Sequence, residues 1–218
     1  EYIPATHMPS KQTATDRKGR IKDLEASENS PEPPVMIRKW RVPTFLPQKI
    51  SGKEFGNLIH TVMQHISYDK CQDTEGIQTE ITRLVESGFL MPEQAAAVNP
   101  EKLEKFFTTD VGQKLFSGVP YLREFKFSIL DDGIHYDTSL HGEQVLLQGV
   151  VDCALLESDG ITVVDFKTDY VTEETISQMV SRYRPQVQTY ADALQRIYEQ
   201  QVKARYLYLF HLDRLVAL

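Results

Sequence analysis

The stretch that decides how this chain folds is QGVVDCALLESDGITVVDFKTDY, Gln148–Tyr170. Two runs of strand formers flank the turn signal S-D-G, so it reads as a β-hairpin. With Asp159-Gly160 as the two-residue turn, Ser158 faces Ile161, Asp152 lies opposite Lys167, and Asp165 is diagonal to Asp152 on the same face. Side chains alternate along a strand, so Asp165 and Lys167 share one face while Val164 and Phe166 take the other. Any loop with an even number of residues keeps the acids and the lysine together; a three-residue loop or a bulge separates them.

A D-x-K pair in a strand is commonly no more than a surface salt bridge, worth ~0–1 kcal/mol. Two features argue for more. Asp152 sits at hairpin spacing from the pair, and ITVV before Asp165 has the profile of an interior strand. Charges buried there cost several kcal/mol unless they have a partner. Two close carboxylates repel each other, and a divalent ion such as Mg2+, which favours carboxylate oxygens, relieves that repulsion. A neighbouring ammonium can hold a nucleophilic water or stabilise charge growing on a phosphate. The chemistry this set suits is metal-assisted phosphodiester hydrolysis.

Around the hairpin, the pattern is that of a mixed α/β domain. Ser51 with Glu54 forms a capping-box signature, followed by Phe55, Ile59, Val62, Met63 and Ile66 on one helical stripe. Further helices are expected at about 76–87, 92–98, 100–107 and 110–116. YLREFKFSIL (121–130) alternates as a strand, with Leu122, Glu124, Lys126 and Ser128 on one face. After the hairpin, TEETISQMVSRY reads as a helix, Pro185 opens a second helix, and KARYLYLFHL is a strand that a last short strand follows. Residues 1–34 are polar, end in SPEPP and read as a linker or arm with weak helical potential at 16–26; the globular domain is expected over 35–218.

At 218 residues, with 41% hydrophobic and 25% charged residues, the chain can build one sizeable core. No apolar run approaches a membrane span, and no charged-then-apolar leader is visible. Cys71 and Cys153 have no CxxC spacing and read as buried residues of a reducing compartment such as the cytoplasm. A net charge of −7 argues against a stand-alone, high-affinity nucleic-acid binder but not against an enzyme handed its strand by a partner.

These motifs resemble those of the RecB-like nucleases of the PD-(D/E)XK superfamily, in particular the nuclease domains of AddA-type helicase-nuclease proteins. The resemblance runs from about residue 38 to the C-terminus. GVVDCALLESDGITVVDFKTD resembles the family's G-x-x-D, spacer, D-[FY]-K-T signature; FGNLIH resembles its G-x-x-x-H helix, REFKFSI its E-x-x-F strand, and RPQVQTYADAL its Q-x-x-x-Y helix. The resemblance implies a restriction-endonuclease-like core, a mixed sheet flanked by helices with a helical N-terminal portion. It also implies an active Mg2+-dependent deoxyribonuclease, with Mn2+ able to substitute. Its metal site would comprise His60, Asp152, Asp165 and the backbone carbonyl of Phe166. Lys167 and Glu124 would assist water and metal, and Gln186 and Tyr190, four apart on one helix face, would orient the lysine or touch the scissile strand. His65 has no counterpart, and Asp169 is expected to cap the turn after the strand.

Some relatives hold an iron–sulfur cluster on four cysteines, which two cysteines cannot do in this way. No G-x-x-x-x-G-K-[ST] loop occurs, so no ATP site is expected in this chain. By resemblance, helicase domains of the parent chain and an AddB-like second subunit would feed in single-stranded DNA during double-strand-break repair and recombination, with the polar arm as tether. Other readings are a stand-alone exonuclease of the superfamily, a non-catalytic DNA-binding module on its fold, and a plain α/β domain with a solvated D-x-K pair.

Overall fold

A computed structural model describes residues 11–13, 50–135 and 140–218. The arm expected over 1–34, with its helical segment at 16–26, lies outside the described residues except for Lys11–Thr13, which form a short strand, β1. Ser51 caps the first helix as its spacing predicts. Its hydroxyl oxygen accepts the Glu54 N–H (3.3 Å), and the Glu54 carboxylate accepts the Ser51 N–H (2.8 Å). Helices α1 (Gly52–His65), α2 (Thr74–Glu86), α3 (Pro92–Ala95), α4 (Pro100–Phe107) and α5 (Asp110–Lys114) follow in turn. Asp73, Asn99 and Thr109 each accept a first-turn N–H, so capping chemistry sets three of these starts.

Strands β2 (Tyr121–Asp132), β3 (Gln144–Glu157) and β4 (Gly160–Lys167) form an antiparallel meander. Helix α6 (Ile176–Tyr198) then carries the chain to β5 (Val202–Leu209), parallel to β4, and β6 (Arg214–Ala217) pairs antiparallel with β5. A parallel step needs a crossover of this length. The mixed sheet runs β2-β3-β4-β5-β6, and β1 lies parallel to the N-terminal half of β3. Val164 and Phe166 share a core with Ile59, Val62 and Phe106, whereas Ile161 and Val163 share one with Val187 and Leu194 of α6. Strand β4 is therefore buried from both sides up to Lys167, as an interior strand should be. Cys71 and Cys153 are buried free thiols, both pushed up to about 12 by burial. Among the described residues, no helix is long and apolar enough to cross a membrane.

The structure corrects two expectations. The hairpin turn is Ser158-Asp159, with Glu157 paired to Gly160. Gly160 serves a close approach instead of the turn itself. It has φ 145°, and a Cβ there would lie 2.9 Å from the Gln201 carbonyl oxygen, which accepts the Ile161 N–H at 2.8 Å. The slip is by two residues, so the shared face survives, but Asp152 now falls opposite Asp165 and not Lys167. Pro185, in turn, does not divide two helices, since α6 runs unbroken through it. Tyr183, Gln186 and Val187 around the proline are buried, and this packing outweighs a local penalty of ~3 kcal/mol.

Candidate active site

The site is built where β4 parts from β3. Their last paired residues are Cys153 and Val164. Just beyond, the Phe166 N–H donates to Asp152 Oδ2 at 2.7 Å, tying the acid to the end of the neighbouring strand. From α1, His60 places Nδ1 3.2 Å from Glu124 Oε1 and 3.4 Å from Asp152 Oδ1. Gly56, one turn earlier, allows α1 to come this close, because a Cβ there would lie only 3.1 Å from the Thr168 hydroxyl oxygen. That contact gives a physical reason for glycine four residues before the histidine. Among the described residues, His60, Glu124 and Asp152 form one group of potential metal ligands, with ligand atoms within 4.8 Å of one another.

Glu124 reaches the group through an unusual backbone. Its φ is 44°, in the left-handed region, and the β2–β3 ladder skips it between Arg123↔Cys153 and Phe125↔Val151. Leu122 and Phe125 consequently pack against the same core although they are an odd number of residues apart. The alternation expected for this strand slips at Glu124. A left-handed residue with a Cβ costs ~1–2 kcal/mol that glycine does not carry. In urea unfolding, Glu124→Gly is therefore expected to be about 1 kcal/mol more stable than Glu124→Ala, although both lose the carboxylate; equal stabilities would show that no strain is stored there.

Asp165 and Lys167 form a buried pair. Asp165 is 1% exposed, the Lys167 side chain is 11% exposed, and Nζ lies 2.5 Å from Asp165 Oδ2. This removes the reading as a solvated surface salt bridge. Apart from this ion pair, neither Asp165 oxygen accepts a hydrogen bond. Burial pushes the Asp165 carboxyl up to about 7; the Lys167 ammonium opposes the rise and Asp152 adds to it. Burial also acts against the charged Asp152, but the His60 hydrogen bond, the Lys167 charge and the Phe166 N–H outweigh it and hold this carboxyl low. For His60, burial favours the neutral ring, yet Asp152 and Glu124 prevail and raise it to about 10. Lys167 likewise stays protonated, because Asp165 and Asp152 outweigh its desolvation.

Helix α6 closes the site from the second core. Gln186 Nε2 donates to the Tyr190 hydroxyl at 2.6 Å, while Gln186 Oε1 accepts no hydrogen bond. Both side chains are buried. Burial, together with the nearby Asp165 and Asp152 charges, raises the Tyr190 phenol and keeps it neutral. Two residues absent from the expected set join them. The Lys167 ammonium lies 4.4 Å from the centroid of the Tyr183 ring, and the Tyr183 hydroxyl donates to Asp169 Oδ2 at 3.0 Å. Asp169 thus binds a helix side chain; the Thr172 N–H of the following turn donates to Thr175 Oγ1 (2.9 Å). Tyr183 stands three residues before Gln186, so the signal available was the same helical face. His65 lies outside the cluster and stacks on Phe89, with ring centroids 4.1 Å apart.

A hard divalent cation fits this donor set. The carboxylates already draw a proton onto His60, and the Asp165 oxygens lack the hydrogen bonds that buried carboxylates require. A paired-strand scaffold with two acids, a lysine two residues after the second, and helices on both faces defines a nuclease of one structural class. The chain belongs to the PD-(D/E)XK nuclease superfamily, whose family model matches residues 36–215. Its relatives are ATP-dependent helicase/nuclease proteins of the AddA type. It is 35% identical over 230 residues to such a protein from Clostridium botulinum strain 657, covering 99% of this chain and 17% of that protein. The protein of the same name from Acetivibrio thermocellus is 34% identical over 220 residues, covering 96% of this chain. The chain thus spans 17% of the length of each of these curated relatives.

Proposed function

We propose that this chain hydrolyses phosphodiester bonds of single-stranded DNA in a Mg2+-dependent, exonucleolytic reaction. It would do so as the nuclease domain of an ATP-dependent helicase-nuclease that processes double-strand breaks for repair and recombination in the bacterial cytoplasm. The observation that carries this reading is the buried Asp165, whose oxygens lack hydrogen bonds beside Lys167 and Asp152. His60, Asp152, Asp165 and the Phe166 carbonyl would hold the ion, and Mn2+ would substitute. Bound there, it supplies Lewis acidity to a phosphate oxygen and lowers the pKa of an attached water. Lys167, kept protonated, donates toward the charge that builds on the phosphate. Glu124 accepts a hydrogen from the attacking water. Gln186 and Tyr190, buried on α6 and hydrogen-bonded to each other, would orient Lys167 or touch the scissile strand.

Delivery of the strand falls to helicase domains of the parent chain and an AddB-like partner. A net charge of −7 accords with a nuclease that need not capture DNA by its own field. Mn2+ titration by calorimetry and cleavage of an end-labelled single-stranded oligonucleotide test the proposal together. Both metal binding and cleavage are expected for the unaltered chain and lost in Asp152→Ala. Equal cleavage by the two chains would overturn the reading, and processive digestion of duplex ends by this chain alone would point to an exonuclease that needs no motor.

A further inference from the structure

We propose that Tyr183 and Asp169 are positioning residues for Lys167, a π-face clamp that sets where the ammonium meets the scissile phosphate. The inference rests on the proposed nuclease function and adds two residues to the set proposed above for metal, water and strand.

A lysine is a point charge on a flexible four-carbon stem, and nothing in its own chemistry fixes where the ammonium points. Lys167 ends β4, so its stem is anchored at one end only. The Asp165 carboxylate, 2.5 Å away, draws the ammonium down onto the strand. The Tyr183 ring face, 4.4 Å from Nζ, attracts it from the side of α6. An ammonium held between a carboxylate and a ring keeps one direction free for a substrate oxygen.

The ring is itself fixed. Tyr183 is buried on α6, and its hydroxyl donates to Asp169 Oδ2 at 3.0 Å. Asp169 lies two residues beyond Lys167 on the same chain segment, so the phenol spans from the lysine to the segment that follows it. The Arg182 guanidinium also lies within 5.5 Å of the ring centroid. Burial, helped by Asp169 and opposed by Lys167, pushes the Tyr183 phenol up to about 12, so it remains a donor at neutral pH. A helix face, a strand end and the loop after the strand therefore meet in one Lys–Tyr–Asp chain.

The test uses the 218-residue chain and three variants. Tyr183→Leu removes ring and hydroxyl, Tyr183→Phe keeps the ring, and Asp169→Asn weakens the anchor. With single-stranded DNA and Mg2+, Tyr183→Leu is expected to lower kcat about 10- to 100-fold, the range of a catalytic group displaced by about 1 Å, with KM changed less than about 2-fold. Tyr183→Phe, which keeps the ring but frees it from Asp169, should recover only part of that loss, and Asp169→Asn should show a comparable partial loss. A role confined to stability would instead lower the active fraction, with thermal midpoints falling in step with rate.

A second readout does not depend on activity. In chain labelled with 13C at the lysine ε carbon, the Lys167 signal, assigned by Lys167→Arg, should carry an upfield ring-current shift. That shift should vanish in Tyr183→Leu and persist in Tyr183→Phe. If the unaltered chain cleaves nothing, the nuclease reading falls while the shift still decides whether the clamp exists. Tyr183→Leu with unchanged kcat, or with an unchanged Lys167 signal, overturns the proposal.

Discussion

Replacing Asp165 by asparagine is expected to reduce cleavage of single-stranded DNA at least ~1,000-fold, roughly 4 kcal/mol of transition-state stabilisation. The substitution preserves shape and removes one charge. Asp165 is the most enclosed acid of the site, and burial, with Asp152 beside it, pushes its carboxyl up to about 7 against the pull of Lys167. A divalent ion would offset that burden in the native chain. Saturating Mn2+ should therefore raise the thermal midpoint of the native chain, since a ligand that binds only the folded state stabilises it by mass action. The Asp165→Asn midpoint should not move. Loss of cleavage with a retained Mn2+ shift would assign Asp165 to substrate and not to the metal.

The second large effect concerns stability and lies away from the site. Glu80 is 1% exposed, and its Oε2 accepts the Ser67 N–H (2.9 Å) and two Arg83 donors at 2.9 and 2.7 Å. Arg83 Nη2 also donates to the His65 carbonyl at 2.8 Å, so this pair ties α2 to the end of the helix that carries His60. Burial raises the Glu80 carboxyl, but the Arg83 and Ser67 hydrogen bonds outweigh it and hold it at about 2. Because the folded value lies below the unfolded one, near ~4.3, the stabilisation is complete above about pH 5. It is lost as pH falls through about 2. Glu80→Gln is expected to cost ~2–3 kcal/mol at about pH 7 and far less near pH 2, read from urea midpoints at the two values. A cost independent of pH would show that the carboxylate charge is not what holds the two helices.

Much of the site was legible because its residues lie in phase with local periodicity. The two-residue period placed Asp165 and Lys167 together, and the slip of the hairpin by two residues could not separate Asp152 from them. The capping box at Ser51 and the apolar stripe of α1 fixed the helix that presents His60. The solvated-pair reading failed on burial alone, a property that ITVV before Asp165 already foreshadowed.

Other features depended on contacts between distant segments. Gly160 looked like a turn residue, yet the approach of Gln201, just before β5, is what requires it. Pro185 looked like a helix boundary, yet burial of its neighbours against the sheet carries α6 through it. Alternation along β2 gave no sign that Glu124 would turn left-handed toward His60, because that contact joins β2 to α1, a segment distant in sequence.

By itself, then, the sequence determined the interior strand, the acids and lysine on its face, and the helix with His60, since each follows from spacing along one segment. Only the tertiary structure decided that Glu124 completes the His60–Asp152 group and that Tyr183 and Asp169 enclose Lys167. Those relations join separate elements, and their distances are set by sheet register and by how two helical layers pack against it, which no local periodicity encodes.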